Sequence, residues 1–284
     1  EGLRGAMVAL LGGDGEEMAQ TQSTRSGEFT FDQLMPGAYS VRVTLPDGYV
    51  YTAGGADSLA ERTNDATVTL DLGELHMGET LSGVNVGALK PASLGGVVWL
   101  DADNDGRRQN GDAGMQGVTV QLTMTDGADA GTTLTTTTDA LGSYRFDGVM
   151  PGKAELSFTL ADGYAFAKNA VGTRRVSVVP MADSVSGQTD GLDVLSGENN
   201  LDLDVGVVAV GTIAGTVWQD SQYDGVYGKK EAGVSGAQIE LLDAASGDTL
   251  MRAQTDEDGR YALNFVRMGE YTLRVTLPDG MMFT

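Results

Sequence analysis

Cysteine is absent from the chain, and with it go disulfide bridges, thiol nucleophiles and thiolate metal cages. Histidine occurs once, at His76, so a histidine-dependent catalytic triad or a zinc cage lacks its residues. Basic side chains are scarce: 18 Lys and Arg stand against 40 Asp and Glu, for a net charge of −22. Phosphate backbones are bound through a basic footprint, so no nucleic-acid partner is expected. No run approaches the roughly 18 apolar residues of a bilayer-spanning helix, so no membrane insertion is expected in this segment. No signal-like leader opens the chain, and Glu1 reads as the start of an excerpt from something longer.

What is present argues for packed cores. Hydrophobic residues make up 41% of the 284 positions and fall in alternating patterns, too apolar for a disordered acidic chain. The length suits two or three domains of about 100–150 residues each.

Internal repeats organise the sequence. Residues 34–52, LMPGAYSVRVTLPDGYVYT, return as VMPGKAELSFTLADGYAFA from Val149 and as VRMGEYTLRVTLPDGMMFT from Val266, at offsets of 115 and 117. GGVVWLDADNDG from Gly95 returns as AGTVWQDSQYDG from Ala214, an offset of 119. AGMQGVTVQL from Ala113 returns as AGVSGAQIEL from Ala232 and, more weakly, as EGLRGAMVAL from Glu1. Three blocks in one order define three modules: residues 1–91, without the VWxD block; residues 92–210, complete; and residues 211–284, lacking the segments that come after LPDG in the complete copy.

In the complete module the runs VVWL, VTVQLTM, TTLTTTT, SYRF, AELSFTL, RVSVV and LDLDVGVV alternate with period two, and Gly, Asp and Asn clusters separate them. Seven short strands with no sustained helical period predict an all-β chain of tandem, Ig-like seven-stranded β-sandwiches. Pro46-Asp47-Gly48 and Pro278-Asp279-Gly280 are turn chemistry, with Pro presetting φ and Gly accepting a positive one.

The order VWxDxDxDG, GVTVxL, TDxxGxYxF and PGxYxVxxTxPDGY resembles the B-type repeats of Gram-positive surface adhesins, of the serine-aspartate-repeat and collagen-adhesin kind. Thr138-Asp139-Ala140-Leu141-Gly142-Ser143-Tyr144-Arg145-Phe146 carries the third motif, and Thr255-Asp256 to Tyr261-Ala262-Leu263 repeats it with Leu263 for the last aromatic. The first copy keeps only Ser26-Gly27-Glu28-Phe29-Thr30-Phe31. The resemblance covers nearly the whole chain. It implies a prealbumin-like sandwich, extracellular or cell-wall-attached display, and a stalk-like role. It also implies that the first and last strands of each module lie side by side.

Asp101, Asp103, Asp105 and Asp112 stand at positions 1, 3, 5 and 12 of a loop whose sixth residue is Gly106, the D-x-[DN]-x-[DN]-G-x₅-[DE] spacing of a calcium loop. Carboxylates so spaced wrap one hard cation, and the Arg107 carbonyl is a candidate for a further oxygen. Asp220, Gln222, Asp224 and Glu231 repeat the spacing, with a neutral ligand at position 3 and a Glu able to chelate at position 12. The plainer reading is an acidic solvated turn. Repetition of the spacing opposes that reading, and the resemblance implies calcium here; the first module begins after its loop would end.

Trp99 and Trp218 precede the loops by two residues and read as inward core residues rather than a sugar platform. Asp139, Asp256 and Asp258 read as turn caps in preference to a second cation site. Related modules often carry a Lys–Asn isopeptide crosslink, but residues 96–100 hold no Lys, and Lys153 aligns with Ala38 and Glu270, so none is expected. Glu16-Glu17 and other acid pairs do not recur as a glycosidase pair would need, so no enzyme activity is expected. Arg174-Arg175 and Lys229-Lys230 read as solvated surface.

The leading functional expectation is a calcium-stabilised spacer whose partners are neighbouring repeats of the same chain. A module binding a host protein or glycan is the alternative, with the insert at residues 168–200 as its candidate site; an accessory domain beside an enzyme is a third. The modules are expected to pair residues 96–100 with residues 201–208. The outer modules, holding only residues 81–89 or only residues 213–219 of that pair, are expected to expose sheet edges that invite association.

Overall fold

The computed structural model describes all residues except 53–57, 61, 62, 64, 104, 105, 110, 168–177, 181–185, 190 and 229. The described residues contain strands and turns and no helix. The first module carries β1 (Met7–Gly12), β2 (Glu17–Gln22), β3 (Gly37–Thr44), β4 (Val50–Tyr51), β5 (Thr67–Leu75) and β6 (Ala88–Leu89). The middle module carries β7 (Ala92–Leu100), β8 (Thr119–Met124), β9 (Thr133–Thr137), β10 (Ser143–Val149), β11 (Gly152–Thr159) and β12 (Tyr164–Phe166). It continues through the short β13 (Val178–Pro180), β14 (Ser186–Thr189), β15 (Leu192–Val194) and β16 (Asn199–Asn200) to β17 (Val205–Thr216). The third module shares β17 and adds β18 (Gln238–Asp243), β19 (Thr249–Gln254), β20 (Arg260–Arg267) and β21 (Tyr271–Thr276).

Period-two alternation decides which face each strand buries. In β8, Val120, Leu122 and Met124 point inward, and opposite them in β11 so do Ala154, Leu156 and Phe158, with Leu156 across from Leu122 and Phe158 across from Val120. Each of these side chains larger than Ala154 contributes about 1.5–3 kcal/mol on burial. One sheet of the middle module runs β10-β7-β17-β12 and the other β13-β14-β11-β8-β9, enclosing a core that includes Val98, Tyr144, Phe158 and Val207. This is the all-β sandwich expected. Separate core clusters form around Tyr39, Val41 and Tyr51, and around Ile239, Leu241 and Leu263.

The first and last strands of the middle module do lie side by side: β17 pairs β7 in parallel, with Val205 opposite Val98 and Val207 opposite Leu100. The strand bounds differ from those expected. Residues 201–204 lie between β16, which pairs Asn199 and Asn200 with Ser93 and Leu94 of β7, and β17; in them Leu203 N–H donates to Gly95 O at 3.0 Å and the Asp204 side chain accepts the Val97 amide at 2.8 Å. β17 does not stop at the boundary after residue 210 but runs on to Thr216, pairing with β12 and then with β20. Of residues 81–89, only Ala88–Leu89 form strand. The backbone before it bonds to the segment that follows β4: Thr52 N–H to Gly87 O, Leu59 N–H to Asn85 O, and Gly87 N–H to Ser58 Oγ. Residues 175–177 of the run RVSVV lie outside the described residues.

A buried hydroxyl recurs in every module. Thr138 donates to Met115 O at 2.6 Å and accepts the Val118 amide at 3.0 Å. Thr255 does the same between Val234 O and Ala237 N–H, and Ser23 between Leu3 O and Ala6 N–H. Beside it the TDxxG turn closes on a glycine: Gly142 at φ 76° sits so near β7 that a Cβ would lie 2.2 Å from Val98 O, and Gly259 at φ 73° would meet Val217 O at 2.1 Å. Asp139 Oδ1 accepts the Leu141 and Ser143 amides, and Asp256 Oδ1 those of Asp258 and Arg260, so both aspartates cap their turns. Asp258 pairs with Arg260 at 3.0 Å.

Candidate metal centre

Each acidic loop starts where an opening strand ends. Trp99 is fully buried beneath the middle loop and Trp218 half-buried beneath the third, each bridged to a loop-end glycine, Gly114 and Gly233. Strand pairing thereby fixes both ends of the loop before any ligand is considered.

In the middle loop Asp101 is only 2% exposed; its Oδ2 accepts the Gly106 amide at 2.8 Å, and its own N–H donates to Val207 O at 2.7 Å. Asp112 folds back over the loop, accepting from Ala102 N–H at 3.5 Å and Gln109 N–H at 2.7 Å. Asp103 is exposed, with Gln109 Nε2 3.4 Å from its Oδ2. The Arg107 side chain is exposed, and Asp105 lies outside the described residues.

The third loop repeats this pattern. Asp220 Oδ2 accepts the Gly225 amide at 2.9 Å, and Glu231 accepts Ser221 N–H at 3.0 Å and Gly228 N–H at 2.9 Å. Oxygens of Asp220, Asp224 and Glu231 all lie within 4.8 Å of one another. A Cβ built on Gly228 would stand 3.7 Å from both Gln222 Nε2 and Glu231 Oε2, so the Gln222 amide shares the space beside that carboxylate. Of the four expected ligands here, three are brought together and the fourth lies at their margin. Among the described residues of the middle loop no such three-carboxylate grouping forms.

The donor set is entirely oxygen. Oxygens around calcium at 2.3–2.6 Å are at most about 5 Å apart across the sphere, a span the third-loop carboxylates fit. The Gly225 amide, with smaller help from those of Asp224 and Tyr223 and the Thr284 hydroxyl, holds the Asp220 carboxyl below its ordinary pKa against the opposing effect of burial. It is therefore charged and ready to ligate at neutral pH.

Sequence reasoning missed Arg267, whose Nη2 donates to Phe166 O at 2.7 Å and whose charge is felt by Asp101. No local motif marks it, because only the pairing of β20 with β17 carries it to the middle module. Arg174, Arg175 and Lys229 lie outside the described residues, as does much of the insert. Lys153 is exposed, 4.0 Å from Asp193. Glu17 pairs with Arg42 at 2.5 Å, in a strand-to-strand ion pair rather than beside a second acid.

Sandwich modules in tandem, with an acidic loop after the opening strand of the middle and of the third, define a class of repeat domains. The chain belongs to the SdrD B-like domain family, which matches residues 1–87, 92–207 and 211–284. It is 30% identical over 287 residues to serine-aspartate repeat-containing protein F of Staphylococcus epidermidis, covering 100% of this chain and 16% of that protein. It is 28% identical over 283 residues to serine-aspartate repeat-containing protein D of Staphylococcus aureus (strain Newman), covering 99% and 20%. Colossin-A of Dictyostelium discoideum is 28% identical over 282 residues, covering 96% of this chain and 2% of its own. The chain thus spans a fifth or less of the length of these relatives. Among solved structures, the Bacillus anthracis TIE protein aligns with a TM-score of 0.33 and 17% identity, over 98% of this chain and 43% of that one.

Proposed function

We propose that this chain is a calcium-stabilised spacer: a run of repeat modules displayed outside the cell, whose immediate partners are neighbouring modules of the same chain. The observation that carries the calcium reading is the third loop, where Asp220, Asp224 and Glu231 converge within 4.8 Å and four backbone amides orient Asp220 and Glu231. Three carboxylates at that spacing repel one another, so a divalent cation that binds the folded loop stabilises it by mass action.

The spacer reading draws on β17, which belongs to two modules at once and leaves no loose linker between them. Extracellular display and wall attachment are taken from the staphylococcal relatives. No catalytic role is assigned. Thermal melting of the whole chain in calcium against chelator tests the reading. Melting should rise with calcium, and Asp220→Ala with Glu231→Ala should remove the third module's share; an unchanged melting temperature across the series overturns it.

A further inference from the structure

β9 (Thr133–Thr137) stands at one end of the β13-β14-β11-β8-β9 sheet of the middle module, and among the described residues it pairs with β8 alone. Its ladder with β8 runs without a bulge, from Thr119 opposite Thr137 to Thr123 opposite Thr133. At the two ends of that ladder Thr132 O accepts the Met124 amide at 2.9 Å, and Thr138 N–H donates to Val118 O at 3.0 Å. Main-chain groups alternate in direction along a strand, so those of Thr132, Leu134, Thr136 and Thr138 turn toward β8. The amides and carbonyls of Thr133, Thr135 and Thr137 therefore point outward along the sheet edge, and the three side chains are exposed.

Charged side chains, proline or short length normally keep such an edge from pairing. The other edge strands of five residues or more, among the described residues, each carry a charge: Glu17 in β2, Asp71 in β5, Arg145 in β10, Arg252 in β19, Arg260 in β20 and Arg274 in β21. β13, at the opposite end of the same sheet, carries Pro180. β9 has neither guard. From Gly131 to Thr138 the run GTTLTTTT holds no charge and no proline, in a chain whose net charge is −22. Threonine also suits a pleated, half-buried surface, so the strand is ready to be paired on its open side.

The occupant that fits this edge is the same edge of a second copy. Antiparallel pairing centred on Thr135 sets that residue against its own counterpart and Thr133 against Thr137, so outward amides meet outward carbonyls. Threonine then lies against threonine, a pair the sheet already makes where the Thr123 and Thr133 hydroxyls are 3.1 Å apart. Asp139, the acid that follows the run, falls opposite Gly131 in this register. Parallel pairing in register would instead set Asp139 against the Asp139 of the other copy.

We infer that β9 is a self-association edge: two copies of this chain join antiparallel through residues 133–137, so that one sheet runs across both middle modules. The contact uses the same patch on both copies and closes at two. It ties chains together side by side, and it rests neither on calcium nor on the spacer reading.

Cysteine is absent from the chain, so an introduced thiol reports a single contact. In the 284-residue protein, with oxidised glutathione as the oxidant, Thr135→Cys should form a disulfide-linked dimer at least about tenfold faster than Gln121→Cys, an exposed position on the neighbouring strand. Thr133→Cys mixed with Thr137→Cys should cross-link faster than either variant alone. Sedimentation at up to about 1 mM should show a reversible dimer that Thr135→Pro abolishes, because proline removes an outward amide and leaves the β8 ladder whole. Thr135→Lys sets like charges face to face and should weaken the dimer at least about tenfold, which covers the case in which the proline variant does not fold. A wild-type chain that stays monomeric, equal cross-linking at positions 135 and 121, or a dimer that Thr135→Lys leaves unchanged overturns the assignment.

Discussion

Arg267 reaches out of the third module to donate a 2.7 Å hydrogen bond to the carbonyl of Phe166 in the middle one. Both residues hang on the same strand: Arg267 stands opposite Val210 of β17, and Phe166 opposite Val207. Burial draws the guanidinium pKa below its ordinary value, and the Asp101 charge partly restores it. Arg267→Met, which keeps the stem and removes the donor, should cost about 1–2 kcal/mol and speed amide exchange around residues 163–167. Chemical denaturation with exchange mass spectrometry checks this; a variant that matches wild type on both measures contradicts the bridging role.

The buried hydroxyls predict a sharp contrast within one run of threonines. Thr138→Val strands the Val118 amide and the Met115 carbonyl in the core and should cost about 2–4 kcal/mol, with Thr138→Ser recovering most of it. Thr137→Val, on an exposed position of β9, should stay within about 0.5 kcal/mol of wild type. Urea unfolding of the three variants decides the matter.

Glycines at positive φ should divide the same way. Gly142→Ala drives a Cβ to 2.2 Å from Val98 O and should unfold the middle module or nearly so. At Gly163, φ is 86° but nothing lies within 4 Å of an added Cβ, so Gly163→Ala should cost only about 1 kcal/mol. Circular dichroism melts distinguish the two.

Gln222 is the uncharged member of the third loop, so Gln222→Asp should tighten calcium binding about tenfold, and Glu231→Gln should weaken it by at least as much. Trp218 and Tyr227 sit with ring centroids 5.3 Å apart beside the loop, so sensitised terbium emission, displaced by calcium, reads both changes.

Glu240 accepts from Arg252 Nε at 2.9 Å and Arg274 Nε at 2.6 Å, and these bonds hold its carboxyl below the ordinary 4.5. A carboxyl depressed on folding contributes stability above its unfolded pKa and loses that contribution as pH falls through the folded one. Wild type should therefore melt higher than Glu240→Gln at pH 6, and the gap should narrow as pH falls below 4.5 and through the depressed folded-state pKa. A gap independent of pH would assign the effect to packing.

Much of the fold is legible in the sequence because alternation and repetition are local signals. The runs around Val120, Leu156 and Phe158 declare their buried face by period two, and the spacing of Asp220, Asp224 and Glu231 declares a loop that can converge. Long-range pairing leaves no such trace. Nothing near Val210 says that one strand serves two modules, because each half reads as a normal strand by itself. Arg267 looks like any surface basic residue until β20 is placed. Asp204 reads as part of a strand by pattern, yet its side chain takes the Val97 amide between the stretches where β16 and β17 pair with β7.

The parallel pairing of β7 with β17 bears on how the middle module answers a pull. A load applied through Ala92 at the start of one strand and through Val210, just past the paired part of the other, tries to slide the two past each other. Their hydrogen bonds, at Val98 to Val205 and on to Leu100 with Val207, then lie across the direction of travel and share the force. They must yield together rather than one after another, as they would if the strands were peeled from one end. Resistance to stretching is set by that rupture rate, so the module should extend slowly under tension whatever its equilibrium stability.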